Sequence, residues 1–344
     1  MKTSRSTNRR RPAVAWLTVG YSIAVTFSII VALNFGAAHL DHLWHVLLHP
    51  NDGAFAAERD ILWQIRIPRI ITALFIGAAL GVAGVMAQGA VNNPLAEPAI
   101  LGTSAGAAFG VLIGLLFNLA TIGSISAIVF GIVGGVAASF ITFYLSKSRD
   151  GQASVVLIIV GIAVSASISA FVGITTSMVS RPDARSVSFW TWGSLALTTN
   201  DNLKVLIPIV IAGVVIAWAF APRLDLLSLG DSTARNIGLD PRRVRRVAIF
   251  TLSILVAASV STVGFIAFLG LAAPHIGRLG FGPRHRPLVL HSALIGSLIL
   301  LVADTGARTL AAPQELPIGL ITALIGAPIL ILLVRRNLEL WRQQ

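Results

Sequence analysis

Long apolar runs separated by short polar stretches dominate the chain. The first, Ala13 to Phe35, would form a helix about 35 Å long at ~1.5 Å per residue, enough to cross a hydrocarbon layer of ~30 Å. Further runs of this kind fall at 69–89, 98–118, 122–145, 153–177, 203–221, 246–268, 271–281, 288–306 and 317–334. The pattern predicts an all-α polytopic membrane protein of about ten transmembrane helices. The eighth run is too short to cross alone and reads as a half-helix or a strongly tilted segment; without it, Arg278, Arg284 and Arg286 would lie on the wrong side. Within the runs, Gly77 and Gly81 are four residues apart, as are Gly102, Gly106 and Gly110, a spacing that lets helix backbones approach closely. Residues 1–12 read as a basic cytoplasmic tail and 13–344 as a single transmembrane domain, with no short-period repeat.

Charge orients this bundle. With the N-terminus inside, nineteen of the 26 Lys and Arg residues fall on cytoplasmic segments, and only Arg59, Arg66, Arg69, Arg181, Arg185, Lys204 and Arg308 fall outside. The positive-inside rule then puts both termini in the cytoplasm. The net charge of +12 is explained by flanks of spans, not by a basic face with interleaved aromatics, so nucleic acid is not an expected partner. Met1 to Pro12 followed by an apolar run has the look of a signal peptide, yet the run is about twice the length of an ordinary h-region, and an uncleaved first helix is expected. The chain has no cysteine, so disulfides and thiolate metal sites are excluded.

Two connecting segments are longer than turns. On the outside, Ser180 to Asn202 carries Trp190 and Trp192, which suit an interfacial helix. On the inside, Pro222 to Val244 alternates Asp225, Asp231 and Asp240 with arginines. Here Asp231 can cap a short helix that begins at Ser232 and stops at Gly238, and a second short helix can begin with Pro241. These short cytoplasmic helices lie between the sixth and seventh spans.

The energy source is not visible in the chain. An ion-coupled relay needs titratable groups at membrane depth, and only Asp304 falls inside a span, one turn from Arg308, which can neutralise it. No G-x-x-x-x-G-K-[ST] loop is present to cradle nucleotide phosphates, and no nucleophile–base set surrounds His275 and Arg278. The chain is therefore not expected to be an enzyme, and energy for uphill transport would enter from another subunit.

Several blocks then become recognisable: Arg66-Ile-Pro-Arg69, Gly77-Ala-Ala-Leu-Gly-Val-Ala-Gly84, Gln88, Asn93-Pro-Leu-Ala-Glu-Pro98, Leu101-Gly-Thr-Ser-Ala-Gly106, Gly230-Asp-Ser-Thr-Ala-Arg-Asn-Ile-Gly238, Gly264 to Arg278, and Ala303 to Gly319. In order and spacing they resemble the permease subunits of the ABC importers for iron siderophores and cobalamin, over about Arg66 to Arg335. The resemblance implies a ten-helix permease in a bacterial cytoplasmic membrane, paired with a second copy or paralogue, seated on two ATPase subunits that bind ATP and Mg, and fed by an extracytoplasmic substrate-binding protein. No cofactor is implied for this chain. A ferric siderophore is the expected cargo, with haem or cobalamin as alternatives; an ion-coupled secondary transporter is the alternative class.

The same resemblance assigns Asp231, Ser232, Thr233, Ala234, Arg235, Asn236 and Gly238 to the ATPase-coupling segment, and Arg66, Arg69 and Arg308 to docking of the binding protein. Arg308 has a second reading as the partner of Asp304, and Arg66 and Arg69 one as interfacial anchors. Gln88, Asn92, Asn93, Ser165 and Ser169 are candidates for the translocation pathway, a role that helix-to-helix hydrogen bonding rivals. Outside the family pattern, His39, His42, His45 and His49 recur in an outward segment. On one helix, His42, His45 and His49 would fall within about 60° of each other and could hold a transition metal, against a reading as an interfacial amphipathic helix.

Overall fold

The structure, a computed structural model, describes residues 6–36, 38–50, 52–146, 153–178, 190–196, 198–312 and 314–328. Lys147, Arg149, Arg181, Arg185, the end of the tenth apolar run and the basic residues beyond it lie outside the described residues. The described residues form helices and connecting turns: α1 (Ser6–Asn34), α2 (Leu43–Leu48), α3 (Ala56–Asp60), α4 (Ile67–Val91), α5 (Thr103–Leu116), α6 (Ile125–Leu145), α7 (Ala153–Met178), α8 (Asn200–Leu227), α9 (Asp231–Asn236), α10 (Pro241–Val263), α11 (Leu269–Phe281), α12 (His285–Thr309) and α13 (Ile318–Pro328). Seven of these are long and apolar enough to cross a membrane. At ~1.5 Å per residue, α5 and α11 are only about 20 Å long and depend on neighbours to cover their ends.

Helices α4 and α10 form the centre, each about four-fifths buried, whereas α1 and α7 leave most of their surface open. Without a hydrophobic drive between helices in lipid, close packing of small residues holds such a bundle together. Gly77 and Gly81 of α4 lie against the backbone of Gly296 and Ser292 of α12, and Gly84 against that of Gly270 in α11, so an added methyl would collide at all three. Gly106 and Gly110 meet Phe130 and Gly134 of α6 in the same way. Gly102 departs from that row: it precedes α5 with φ of 84°, a left-handed conformation that glycine adopts without strain.

Several boundaries differ from the apolar pattern for local reasons. The second half of the 92–102 segment is a 3-10 turn at Pro98–Leu101, so the helix expected at 98–118 begins only at Thr103. Helix α8 continues through Pro222 to Leu227. Asp240 caps α10 by accepting the Arg242 amide at 2.9 Å with Pro241 in the first turn, but that helix runs unbroken to Val263 and is not a second short one. Trp190 is buried beside Gly264 instead of lying at a lipid interface. Its segment threads between α10 and α13 through the Ser194 amide to the Val263 carbonyl and the Ile318 amide to the Gly193 carbonyl.

Candidate functional site

At the start of α4, three arginines expected to face outward turn inward instead. Arg66, Arg69 and Arg308 are 3%, 6% and 4% exposed. Arg69 grips Asp304 through Nε at 3.0 Å and Nη2 at 2.9 Å, and Glu315 through Nη1 at 2.7 Å. Arg308 donates to the Ala32 carbonyl at 2.6 Å and stands 3.7 Å from Asp304; Arg66 donates to the carbonyls of Leu33 and Ala38. The partner of Asp304 is thus mainly Arg69, 235 residues away, and only secondarily Arg308. A carboxylate with no exposed surface needs its charge matched and its lone pairs filled, which a forked guanidinium does in one plane. These groups staple α1, α4, α12 and the segment that carries Glu315 together.

The histidine segment does not form one metal-binding face. Helix α2 is only six residues long, and each imidazole takes its own partner: His39 near Asp41 at 3.4 Å, His42 to Glu58 at 3.1 Å, His45 to Asp52 at 2.9 Å, with His49 stacked on His45. Among the described residues no group of three or more His, Asp or Glu side chains is placed to hold a metal. The Ala54 amide and then His45 hold the Asp52 carboxyl below its usual value.

A cavity of about 530 Å³ lies between α5, α7 and the Trp190–Trp192 turn, within the size range of small-molecule sites. Its polar lining comes from Ser104, Ser165, Ser169, Thr176 and Thr191, and its apolar wall from Trp190, Trp192, Val260 and Phe265. The Ser165 hydroxyl is buried with no hydrogen-bond partner among the described residues. Of the sequence-derived pathway residues, Ser165 and Ser169 reach this cavity and the others do not. Gln88 is 2% exposed and spends its amide on the Gly270 carbonyl at 3.4 Å and on Arg278. Asn92 ends α4 in a left-handed conformation, and Asn93 accepts the Leu95 amide at 2.9 Å, which sets the turn before Pro94 to Pro98. Glu97, in that segment, accepts the Phe268 amide at 2.8 Å and pins the start of α11.

At the opposite end of the bundle from the arginine cluster, α9 stands clear of the body. Gly230, with φ of 96°, occupies the cap position expected for Asp231, which instead begins the helix and pairs with both Nη atoms of Arg245 at 2.8 and 2.7 Å. That pair, with a smaller contribution from Arg235, holds the Asp231 carboxyl below its ordinary value of 3.8. Ala234 is the buried residue of α9, while Ser232, Thr233, Arg235 and Asn236 are exposed and Gly238 turns the chain with φ of 82°. Leu229 and Ile237, 58% and 54% exposed, flank this polar face, an apolar pair that the charge pattern of the loop hides. Nearby, His285 holds Asp225 through Nδ1 at 2.7 Å and its amide at 2.9 Å, and Arg286 lies over Trp218 at 3.8 Å.

Comparison with known proteins gives the arrangement a family. The FecCD transport family model matches residues 23–336. The hemin transport system permease protein HmuU of Yersinia pestis is 36% identical over 90% of this chain and 93% of its own length. The Fe(3+) dicitrate transport system permease protein FecD of Escherichia coli is 37% identical over 93% and 98%. The cobalamin import system permease protein BtuC of Halobacterium salinarum is 34% identical over 80% and 73%. A solved metal-chelate type ABC transporter in an inward-facing conformation has a TM-score of 0.82 at 29% identity, covering 94% of this chain and 99% of that one. The chain belongs to the FecCD transport family.

Proposed function

Proceeding from membership of the FecCD transport family, we propose that this chain is the transmembrane permease subunit of an ATP-binding-cassette importer that carries a ferric siderophore or related metal chelate across a bacterial cytoplasmic membrane. The chain crosses about ten times with both termini inside, pairs with a second copy or a paralogue, sits on two ATPase subunits that bind ATP and Mg, and receives cargo from an extracytoplasmic binding protein. The observation that carries this reading is α9: a short helix whose inner side is tied to the bundle through Asp231 and Ala234, and whose outer side offers Ser232, Thr233, Arg235 and Asn236 between Leu229 and Ile237. Mixed hydroxyl, charged and apolar groups on an exposed helix suit a docking face for another subunit. The cavity beside Ser165 and Ser169 is the segment of the pathway within this chain, and its aromatic and hydroxyl walls suit a bulky chelate.

Proteoliposomes holding the permease, its ATPase and its binding protein test this reading. Uptake of radiolabelled iron chelate is expected only with ATP and all three components; uptake by the permease alone under an ion gradient would refute it. Hemin and cobalamin are the second reading for the cargo, supported by the 36% and 34% identical relatives, and competition by either against iron uptake separates the two.

A further inference from the structure

The most heavily shared side chain near α9 is Arg245, in the second turn of α10 and 8% exposed. Its Nη1 and Nη2 hold the two carboxylate oxygens of Asp231 in α9, and its Nε donates to the carbonyl of Ala90 in α4 at 3.0 Å. The Ala90 carbonyl has a sequence-level reason to need such a donor. In an unbroken helix it would accept the amide four residues on, but that residue is Pro94, which has no amide hydrogen. Ala90 is fully buried, so water does not fill the gap, and an open carbonyl there would be costly. One planar guanidinium therefore binds three elements at once: α9, α10 and the last turn of α4.

The chain immediately beyond Ala90 makes this junction more than a brace. Two residues on, Asn92 turns the chain into the 93–102 segment, which contacts α11 and α7 and reaches the cavity lining at Ala99. Glu97 holds the Phe268 amide at the start of α11, Pro98 packs on Gly270, Ala99 lines the cavity, and the Ile100 carbonyl lies against Gly161 of α7. The path from the exposed helix to the cavity is thus contiguous and passes through two hydrogen-bonded ends of a single side chain. We infer that Arg245 is a positioning residue that transmits displacement of α9 to the end of α4 and, through the 93–102 segment, to the walls of the cavity. This inference rests on the permease reading and names the link by which a partner's push on α9 reaches the cargo.

The three bonds can be separated. Arg245→Lys keeps a cation for Asp231 but loses the Nε donor that reaches Ala90 at the same time. Asp231→Asn keeps the Nε bond to Ala90 and removes the charge that ties in α9. Both variants are measured in the complete importer in proteoliposomes, with ATP hydrolysis and uptake read in the same vesicles from a panel of hemin, cobalamin, ferric dicitrate and a ferric hydroxamate. The expected result for Arg245→Lys is hydrolysis close to wild type with cargo moved per ATP reduced about tenfold, within the ordinary range of coupling between sites. Asp231→Asn is expected to uncouple in the same direction and serves as the deciding variant if Arg245→Lys does not assemble. A wild-type ratio of uptake to hydrolysis in either variant, or a parallel fall of both activities, would overturn the inference by reducing Arg245 to a structural brace. If the wild-type importer moves none of the panel with ATP, the permease reading itself fails, and this inference with it, a result separate from loss of coupling in a variant alone.

Discussion

At the scale of single residues, the charges inside this protein are matched before they are exposed. Asp304 has no accessible surface and lies under the fork of Arg69, so removing one partner leaves the other buried and unpaired. Arg69→Met is expected to destabilise the folded chain by about 3–5 kcal/mol, and the double replacement Arg69→Met with Asp304→Leu to recover most of that. Thermal unfolding in detergent measures both, and a double variant no better than the single would show that the pair is not what fixes these helices. Asp231 gives a pH dependence with a defined sign. Its carboxyl titrates below the ordinary value of 3.8, so the Arg245 bond contributes fully above that value and is lost as pH falls through the lower one. The protection of α9 amides against hydrogen exchange, taken relative to the intrinsic rate at each pH, should therefore be unchanged between neutral pH and about pH 5, whereas Asp231→Asn should lower it throughout that range. The histidines give a third expectation: because each is committed to its own acid or ring, titration with zinc should show no stoichiometric uptake by the His39 to His49 segment.

Among elements, glycine rows decide which helices touch. Gly81 of α4 faces the Ser292 backbone, so Gly81→Leu must push α12 away and is expected to cost about 1–3 kcal/mol, read as a lower unfolding temperature. Most of this level is legible in the sequence. Apolar run length locates the long helices, and the four-residue glycine spacing in α4 marks a real seam with α12. Arginine orientation is not legible. Arg66, Arg69 and Arg308 lie at helix ends, where charge normally snorkels to water. Their inward turn depends on Asp304 and on carbonyls at Leu33, Ala38 and Ala32, which meet them only in the folded bundle. The histidine spacing misleads for a related reason, since a helical angle does not extend through a segment whose helix ends at Leu48. Arg245 does not stand out among the six arginines of its stretch, although Pro94 four residues after Ala90 is a visible sign that a buried carbonyl needs an outside donor.

For the whole molecule, the fold divides labour between its two ends. An ionic staple fixes the end that carries Arg69 and Asp304, while the other end leaves α9 projecting and tied back through Arg245. A cavity of about 530 Å³ lies between α5, α7 and the Trp190–Trp192 segment. The central claim, that this chain is a conduit driven through α9, is tested most directly by measuring chelate uptake in proteoliposomes with the ATPase present and the exposed face of α9 replaced, as Ser232→Ala, Thr233→Ala, Arg235→Ala and Asn236→Ala together. ATP-dependent uptake is expected to be abolished while the permease still folds and binds chelate-loaded binding protein; uptake at the wild-type rate would show that α9 is not the driven element.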